Sequence, residues 1–512
     1  MSADEFPGVQ IASLSPRFAR QRVSRRSFMR AGLATAGALS VVGSPWLALA
    51  GQDSGHGGWI RDVEWSPLPI PDTTPMGELT CAPAQVNMGD GRLRGVLAYN
   101  GQFPGPTWVV RRGDQVKVTL RNGLNEPTIT HWHGLHVDYA NDGGPRLAIG
   151  PNLSYLYDFP ILQRASLNFY HPHPHMLTGK QVCLGLAGAF IIRDDEEDYL
   201  RLPGSIFGGR EAPLIIRDAS FDNQGNLAYN PTTSGFTGKF PLVNGTLKPK
   251  MDVDRGVYRF RVLNGANARV FKLALSNGAP FTVIGNDGGL LPSPAIVTQI
   301  ELGMGERLDL LVDFGALLAG QSVMLRCLAA RWDLLQFVGT GATGMAYSAP
   351  TTLSTIVPLS GPSQPTRTFS FDGMSRINGL RYDMDRIDFW VPFDVVERWR
   401  FKTGGNAPHP VHVHGASFQV VSRTGGRGRL FPWEGGWKDT VLLKDKEVVD
   451  VLIRFDSQAH YVDPQRYVIH CHQLEHEDMG MMSNFGVGTP QTGSISISPF
   501  TSTRQPAKST GR

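Results

Sequence analysis

Apolar and polar side chains alternate through most of the chain beyond about residue 80. The run Gly113–Asn122 sets Val116, Val118 and Leu120 against Gln115, Lys117 and Thr119, as a half-buried strand requires. The same pattern returns in Val257–Asn264 and again in Val396–Thr403, about 140 residues apart each time, which predicts three repeated units. Each unit holds many short alternating runs bounded by Gly, Pro, Asn and Asp, so the prediction is an all-β chain of Greek-key β-sandwiches. Boundaries are expected near Asp194–Leu202 and within Ala349–Arg367. The units then span 76–197, 198–358 and 359–489, with an extended linker over 51–75 lying on the first unit and a disordered Ser/Thr-rich tail over 490–512.

Composition agrees with this reading. The 512 residues include 59 Gly and 36 Pro, which favours a turn-rich β-protein over a helical one, and 41% hydrophobic content supplies several cores. The formal charge of +4 reports only the beginning of the chain, where residues 1–50 hold six Arg against Asp4 and Glu5. The remainder is balanced, so nothing favours a nucleic-acid surface. The early Arg belong to an export signal. Arg25-Arg26 and Arg30 precede an apolar run from Ala31 to Val42 and then Ala48-Leu49-Ala50, the order of a twin-arginine leader. That run is far shorter than the roughly 20 residues that span a bilayer. A periplasmic or secreted protein without stable membrane insertion is expected.

Chemistry concentrates at His470-Cys471-His472, followed by His476 and Met481. One thiolate, two imidazoles and a weak thioether form the ligand set of a blue-copper centre. Neighbours on a strand face opposite ways, so His470 and His472 look one way while Cys471 looks the other. One strand then serves two metal sites, joined by a few covalent bonds. Three further clusters are His131-Trp132-His133-Gly134, His171-Pro172-His173 with His175, and His409 with His412-Val413-His414-Gly415. A lone H-x-H also suits zinc or nickel; four such elements, one interrupted by Cys, point to a shared multinuclear centre. The repeat orders them. His131/His133 and His412/His414 follow equivalent strands of units one and three, whereas unit two has Val270–Leu273 there and acts as a spacer. Pro172 stands where Cys471 stands, so unit one cannot build a thiolate site. If Cys471 binds metal, Cys81, Cys183 and Cys327 allow at most one disulfide, whose pairing the sequence leaves open.

These clusters, in this order over residues 80–488, resemble the three-domain bacterial multicopper oxidases, which include laccases and copper-efflux oxidases. The resemblance implies three consecutive cupredoxin-like domains and four copper ions. By that resemblance a type 1 copper is held by His409, Cys471, His476 and Met481, and a type 2 copper by His131 and His412. Two type 3 coppers share His133, His171, His173, His414, His470 and His472. The family's ten-residue offset from Cys471 selects Met481 over Met479 and Met482. The residues before each H-x-H favour His171 and His173 over a His173/His175 pair. Electrons from a small-molecule reductant would pass through Cys471 to a cluster that reduces dioxygen to water, with Asp142 and Glu477 as proton donors. Phenols and amines are the expected donors. The alternative is cuprous-ion oxidation, but Met345, Met374 and Met384 are scattered and Gly405–Pro408 carries neither Met nor acid. Trp433 and Trp437 are expected to serve packing before a donor pocket. Some exported relatives of this fold act in cell division and lack the ligands; here every ligand position is filled.

Overall fold

The computed structural model describes residues 63–72, 77–204, 209–405, 407–458 and 463–490. The export signal at 1–50, the linker up to residue 62 and the tail beyond residue 490 lie outside the described residues. Among those described, six sheets fall into three pairs in chain order: two four-stranded sheets within 78–193, two six-stranded sheets completed by residues 211–343, and a four- with a five-stranded sheet within 367–487. Each pair encloses its own apolar core. These are three cupredoxin-like sandwiches, and no described helix is long and apolar enough to cross a membrane.

The three repeated strands occupy one topological position. Gln115–Asn122 lies between a parallel partner, Glu78–Asn87, and an antiparallel one, Ser154–Pro160. Val257–Asn264 lies likewise between Glu211–Ala219 and Arg307–Asp313. Glu397–Lys402 lies between Arg367–Ser370 and Val448–Ile453. The sequence repeat is therefore a structural repeat.

Two connecting segments carry more structure than the sequence pattern implies. The segment Asp194–Leu202 is not a bare connection: Asp195–Tyr199 is a short helix capped by the Asp194 side chain. It buries Glu197 against Arg259 and Arg261, with Nη–Oε distances of 3.0 and 2.7 Å. Asp309 completes the network on Arg259, so the polar face of Val257–Asn264 is packed rather than solvated. A buried guanidinium needs such paired carboxylates. The described part of the linker does not lie on the first unit alone. Ser66–Pro67 pairs with Pro249–Lys250 of the second unit, while the Asp72 carbonyl accepts from Thr107 of the first at 2.9 Å.

The strands that carry the His motifs are buried along their whole length. Thr130–His133 pairs with Ser166–Pro172 so that His131 lies opposite His171. His409–Val413 runs between Gln465–Cys471 and Thr440–Leu443, with His412 opposite both His470 and Thr440.

Candidate metal centre

Strand register brings the two H-x-H pairs of unit one and those of unit three into one interior. His133, His171 and His472 place one nitrogen each within 4.8 Å of one another, and so do His173, His414 and His470. His131 and His412 face each other with Nε2 atoms 3.4 Å apart. His414 and His470 do the same at 3.2 Å. On the opposite side of the same strand, Cys471 Sγ lies 3.5 Å from His409 Nδ1 and 3.7 Å from His476 Nδ1. All ten imidazoles are buried.

Several ring nitrogens are tied down by carbonyls and carboxylates, while others face only another imidazole or no partner. Nδ1 of His131 donates to the Asp142 carbonyl at 2.7 Å and Nδ1 of His412 to the Asp439 carbonyl at 2.9 Å. His171 Nδ1 donates to the Pro172 carbonyl at 2.8 Å. His133 is reversed: its Nε2 meets Asp439 Oδ1 at 3.1 Å and Thr440 Oγ1 at 3.0 Å, which leaves Nδ1 inward. His133 Nδ1, His171 Nε2, His173 Nε2 and both His472 nitrogens find no hydrogen-bond partner among the described residues. Burial holds His131, His133 and His472 well below their usual range, so these three are neutral bases with lone pairs to offer. Convergent, unpartnered acceptors in an apolar interior are unfavourable unless a cation joins them. The donor set fits copper ions.

The thiol site fits as well. Burial pushes the Cys471 thiol up, so its thiolate needs a bound cation. Burial lowers His409 to about 4 and His476 to about 3. Met481 is fully buried; its carbonyl accepts from Cys471 N at 3.1 Å and its N–H donates to the His476 carbonyl at 2.9 Å.

Both carboxylates singled out in the sequence touch the imidazoles. Asp142 Oδ2 lies 2.8 Å from His414 Nδ1. Glu477 bridges His173 and His470, with oxygens 3.3 and 3.1 Å from their Nδ1 atoms. Burial raises both carboxyls. His175 stands apart, half-buried against Tyr382. Cys81, Cys183 and Cys327 are buried free thiols, so no disulfide forms among them. Trp433 stacks on Phe431. Trp437 lines a cleft of about 450 Å³ with His136, Gln163 and Ser417, which neither His409 nor His476 borders. Sequence reasoning missed Asp439, Thr440 and Arg307, whose guanidinium pairs with Asp439. No His motif flags their positions.

Three family models described as multicopper oxidase match residues 80–197, 204–322 and 356–491. A multicopper oxidase mco of Staphylococcus aureus is 32% identical over 417 residues, 78% of this chain and 85% of that protein. A cell division protein FtsP of Dickeya dadantii is 33% identical over 442 residues, 82% of this chain and 92% of that protein. Among solved structures, a laccase from Pediococcus acidilactici aligns with a TM-score of 0.78 at 32% identity, over 83% of this chain and 94% of that one.

Proposed function

The chain belongs to the multicopper oxidase family, and on that premise we propose that it acts as a laccase-type enzyme on phenolic or amine donors. It is a copper-dependent oxidoreductase with dioxygen as acceptor. In this assignment His409, Cys471, His476 and Met481 hold a type 1 copper, and His131 with His412 a type 2 copper. His133, His171, His173, His414, His470 and His472 hold a type 3 pair. Bound copper supplies one-electron cycling at the thiolate and dioxygen reduction at the imidazole cluster.

One observation carries the proposal: Cys471 meets His409 and His476 on one face of its strand, while His470 and His472 join two separate imidazole groups on the other. The peptide of Cys471 is thus a covalent link of a few bonds between the two sites. The chain's other contributions are positional. The carbonyls of Asp142, Pro172 and Asp439 fix the ring nitrogens that face away from the cluster. Glu477, raised by burial and touching two imidazoles, is placed to hold a proton at Oε1 or Oε2. Asp142 does the same beside His414. Burial keeps bulk water from the cluster and leaves proton delivery to these carboxyls.

The donor reading rests on what surrounds His409. Gly405, Ala407 and Pro408 offer no soft ligand for a cuprous ion, whereas outer-sphere transfer to a buried imidazole tolerates varied organic donors. Export by the twin-arginine route to the periplasm or exterior rests on the leader at Ser24–Arg30, outside the described residues.

The test is oxygen uptake by copper-loaded protein with a phenol, a diamine, cuprous ion and ferrous ion in parallel, with copper determined. Four coppers per chain and uptake with the organic donors are expected. Turnover with cuprous ion far above the phenol would replace this donor class by metal ions. Absence of both blue absorption and uptake with every donor would remove the oxidase assignment.

A further inference from the structure

The second unit contributes none of the proposed ligands, yet it reaches their pocket. Arg307 opens the strand Arg307–Asp313 and is fully buried. Its Nη1 lies 2.6 Å from Asp439 Oδ1, and its Nη2 pairs with Oδ2 of the same carboxylate. Its Nε donates to the Leu167 carbonyl of the first unit at 3.0 Å. One guanidinium therefore bonds to elements of all three units, since Nη1 also donates to Gly305 O at 3.0 Å.

What Arg307 holds is the carboxylate that faces His133. Asp439 Oδ1 accepts from Thr440 Oγ1 at 2.8 Å and from His133 Nε2 at 3.1 Å. The Asp439 carbonyl accepts from His412 Nδ1. Other groups of the second unit grip the same segment. Asp287 Oδ2 lies 2.9 Å from the buried Lys438 Nζ, and Glu306 Oε1 accepts from Leu442 N at 3.4 Å. Gly305, at φ +78°, presses its backbone on the next ligand: a Cβ there would lie 3.1 Å from the His472 ring.

A carboxylate alone in this interior would be strongly disfavoured and free to turn toward other donors. The planar fork of Arg307 fixes both oxygens at once, which a lysine could not do. With Oδ1 fixed as an acceptor, His133 keeps its proton on Nε2 and offers Nδ1, the nitrogen without a partner. We propose that Arg307 is a positioning residue for the imidazole cluster: acting through Asp439, it locks the tautomer and aim of His133 and thereby sets how tightly the cluster retains copper. The second unit is then a clamp on the cluster as well as a spacer. This inference rests on the ligand assignment above and extends it to a unit without ligands.

The test compares wild type, Arg307→Met, Arg307→Lys, Asp439→Ala and the Arg307→Met/Asp439→Ala pair as full-length, copper-loaded proteins. Each is titrated with a chelator while cluster copper and the blue absorption of the Cys471 site are followed separately, and each apo-protein is melted. In Arg307→Met, cluster copper should leave at chelator activities about 10- to 100-fold lower than in wild type. The blue absorption should persist. Arg307→Lys, which keeps the charge without the fork, should fall between the two and covers the case in which the Met variant does not fold. The double variant should be no worse than Asp439→Ala. An unchanged chelator curve in either Arg307 variant overturns the inference, even if melting drops, because that pattern is packing alone. Wild type that binds only the thiolate copper overturns the ligand assignment first and this inference with it.

Discussion

Oδ2 of Asp142 lies 2.8 Å from Nδ1 of His414, a residue 272 positions further along the chain. The same Asp142 offers its carbonyl to His131. One acidic residue of the first unit thus orients an imidazole from each of the two units that share the cluster. Burial, with a smaller push from Asp138, raises its carboxyl well above the usual range, so it can hold a proton beside His414.

Replacing Asp142 by Asn keeps an oxygen for His414 but removes the titratable proton. Copper content should stay at the wild-type value while oxygen uptake falls by about 100-fold or more, the usual scale for losing a positioned acid. Glu477→Gln should behave alike, because Glu477 sits between His173 and His470. Uptake rates equal to wild type at equal copper loading would reduce both carboxyls to packing.

Cys471→Ser separates the two sites. The hydroxyl is a poor copper ligand, so the blue absorption and donor-driven uptake should vanish. His470 and His472 keep their positions on the other strand face, and the imidazole cluster should still load copper. Metal analysis alongside the visible spectrum checks this. Loss of cluster copper together with the blue absorption would mean that the two sites do not assemble independently.

The H-x-H pairs were legible because period-two geometry puts both rings on one face of any strand, whereas the grouping of rings from different units came only from the family resemblance. The outer partners of these rings were not legible. Asp439 follows Trp437-Lys438 in a loop-like stretch, and Arg307 begins an ordinary alternating strand. Their pairing spans 132 residues and depends on how the units dock. Arg259 and Arg261 read as a solvated face for the same reason: the alternation is real, but Glu197, Glu211 and Asp309 arrive from other elements to bury it. The acidic run at Asp194–Asp198 looked like a connection because its role as cap and counter-charge appears only against those arginines. The free thiols were unreadable too, since Cys81 and Cys327 belong to different cores.

Copper-free protein should lose stability as pH falls from about 6.5, the value of an imidazole in the unfolded chain. In the fold, burial lowers His409 to about 4 and His171, His173 and His476 to about 3. Between those values the unfolded chain binds more protons than the folded one, so stability rises with pH through this window and is fully present above it. Each group that must stay neutral costs up to about 1.4 kcal/mol per pH unit. Bound copper occupies the same lone pairs and should flatten the dependence. Melting curves of apo- and copper-loaded protein at pH 7, 6, 5 and 4 test this; parallel declines would contradict it.

Asp372 should matter for charged donors only. It is exposed, accepts from Gly404 N at 2.7 Å, and its charge reaches His409. Asp372→Asn should raise KM for a cationic diamine by no more than about 5-fold, the ceiling for a solvated ion pair. KM for a neutral phenol and kcat for both should stay unchanged. Equal shifts for both donors would point to a moved His409 instead of lost attraction.

Met481 offers the cleanest test of the thiolate site. Its backbone is bonded on one side to Cys471 and on the other to His476, so its side chain emerges between two proposed ligands in a fully buried position. Leucine nearly conserves the volume, and Met481→Leu should cost less than about 1.5 kcal/mol of stability. It removes the thioether, which stabilises oxidised copper relative to an apolar neighbour, so the reduction potential should rise while the blue absorption persists. Met482→Leu, one residue further on the buried strand Met482–Val487, should leave the potential where it is. A redox titration of the blue absorption in both variants decides the matter. An unchanged potential in Met481→Leu, or a rise in Met482→Leu alone, would move the axial position off Met481 and shift the register of the last motif.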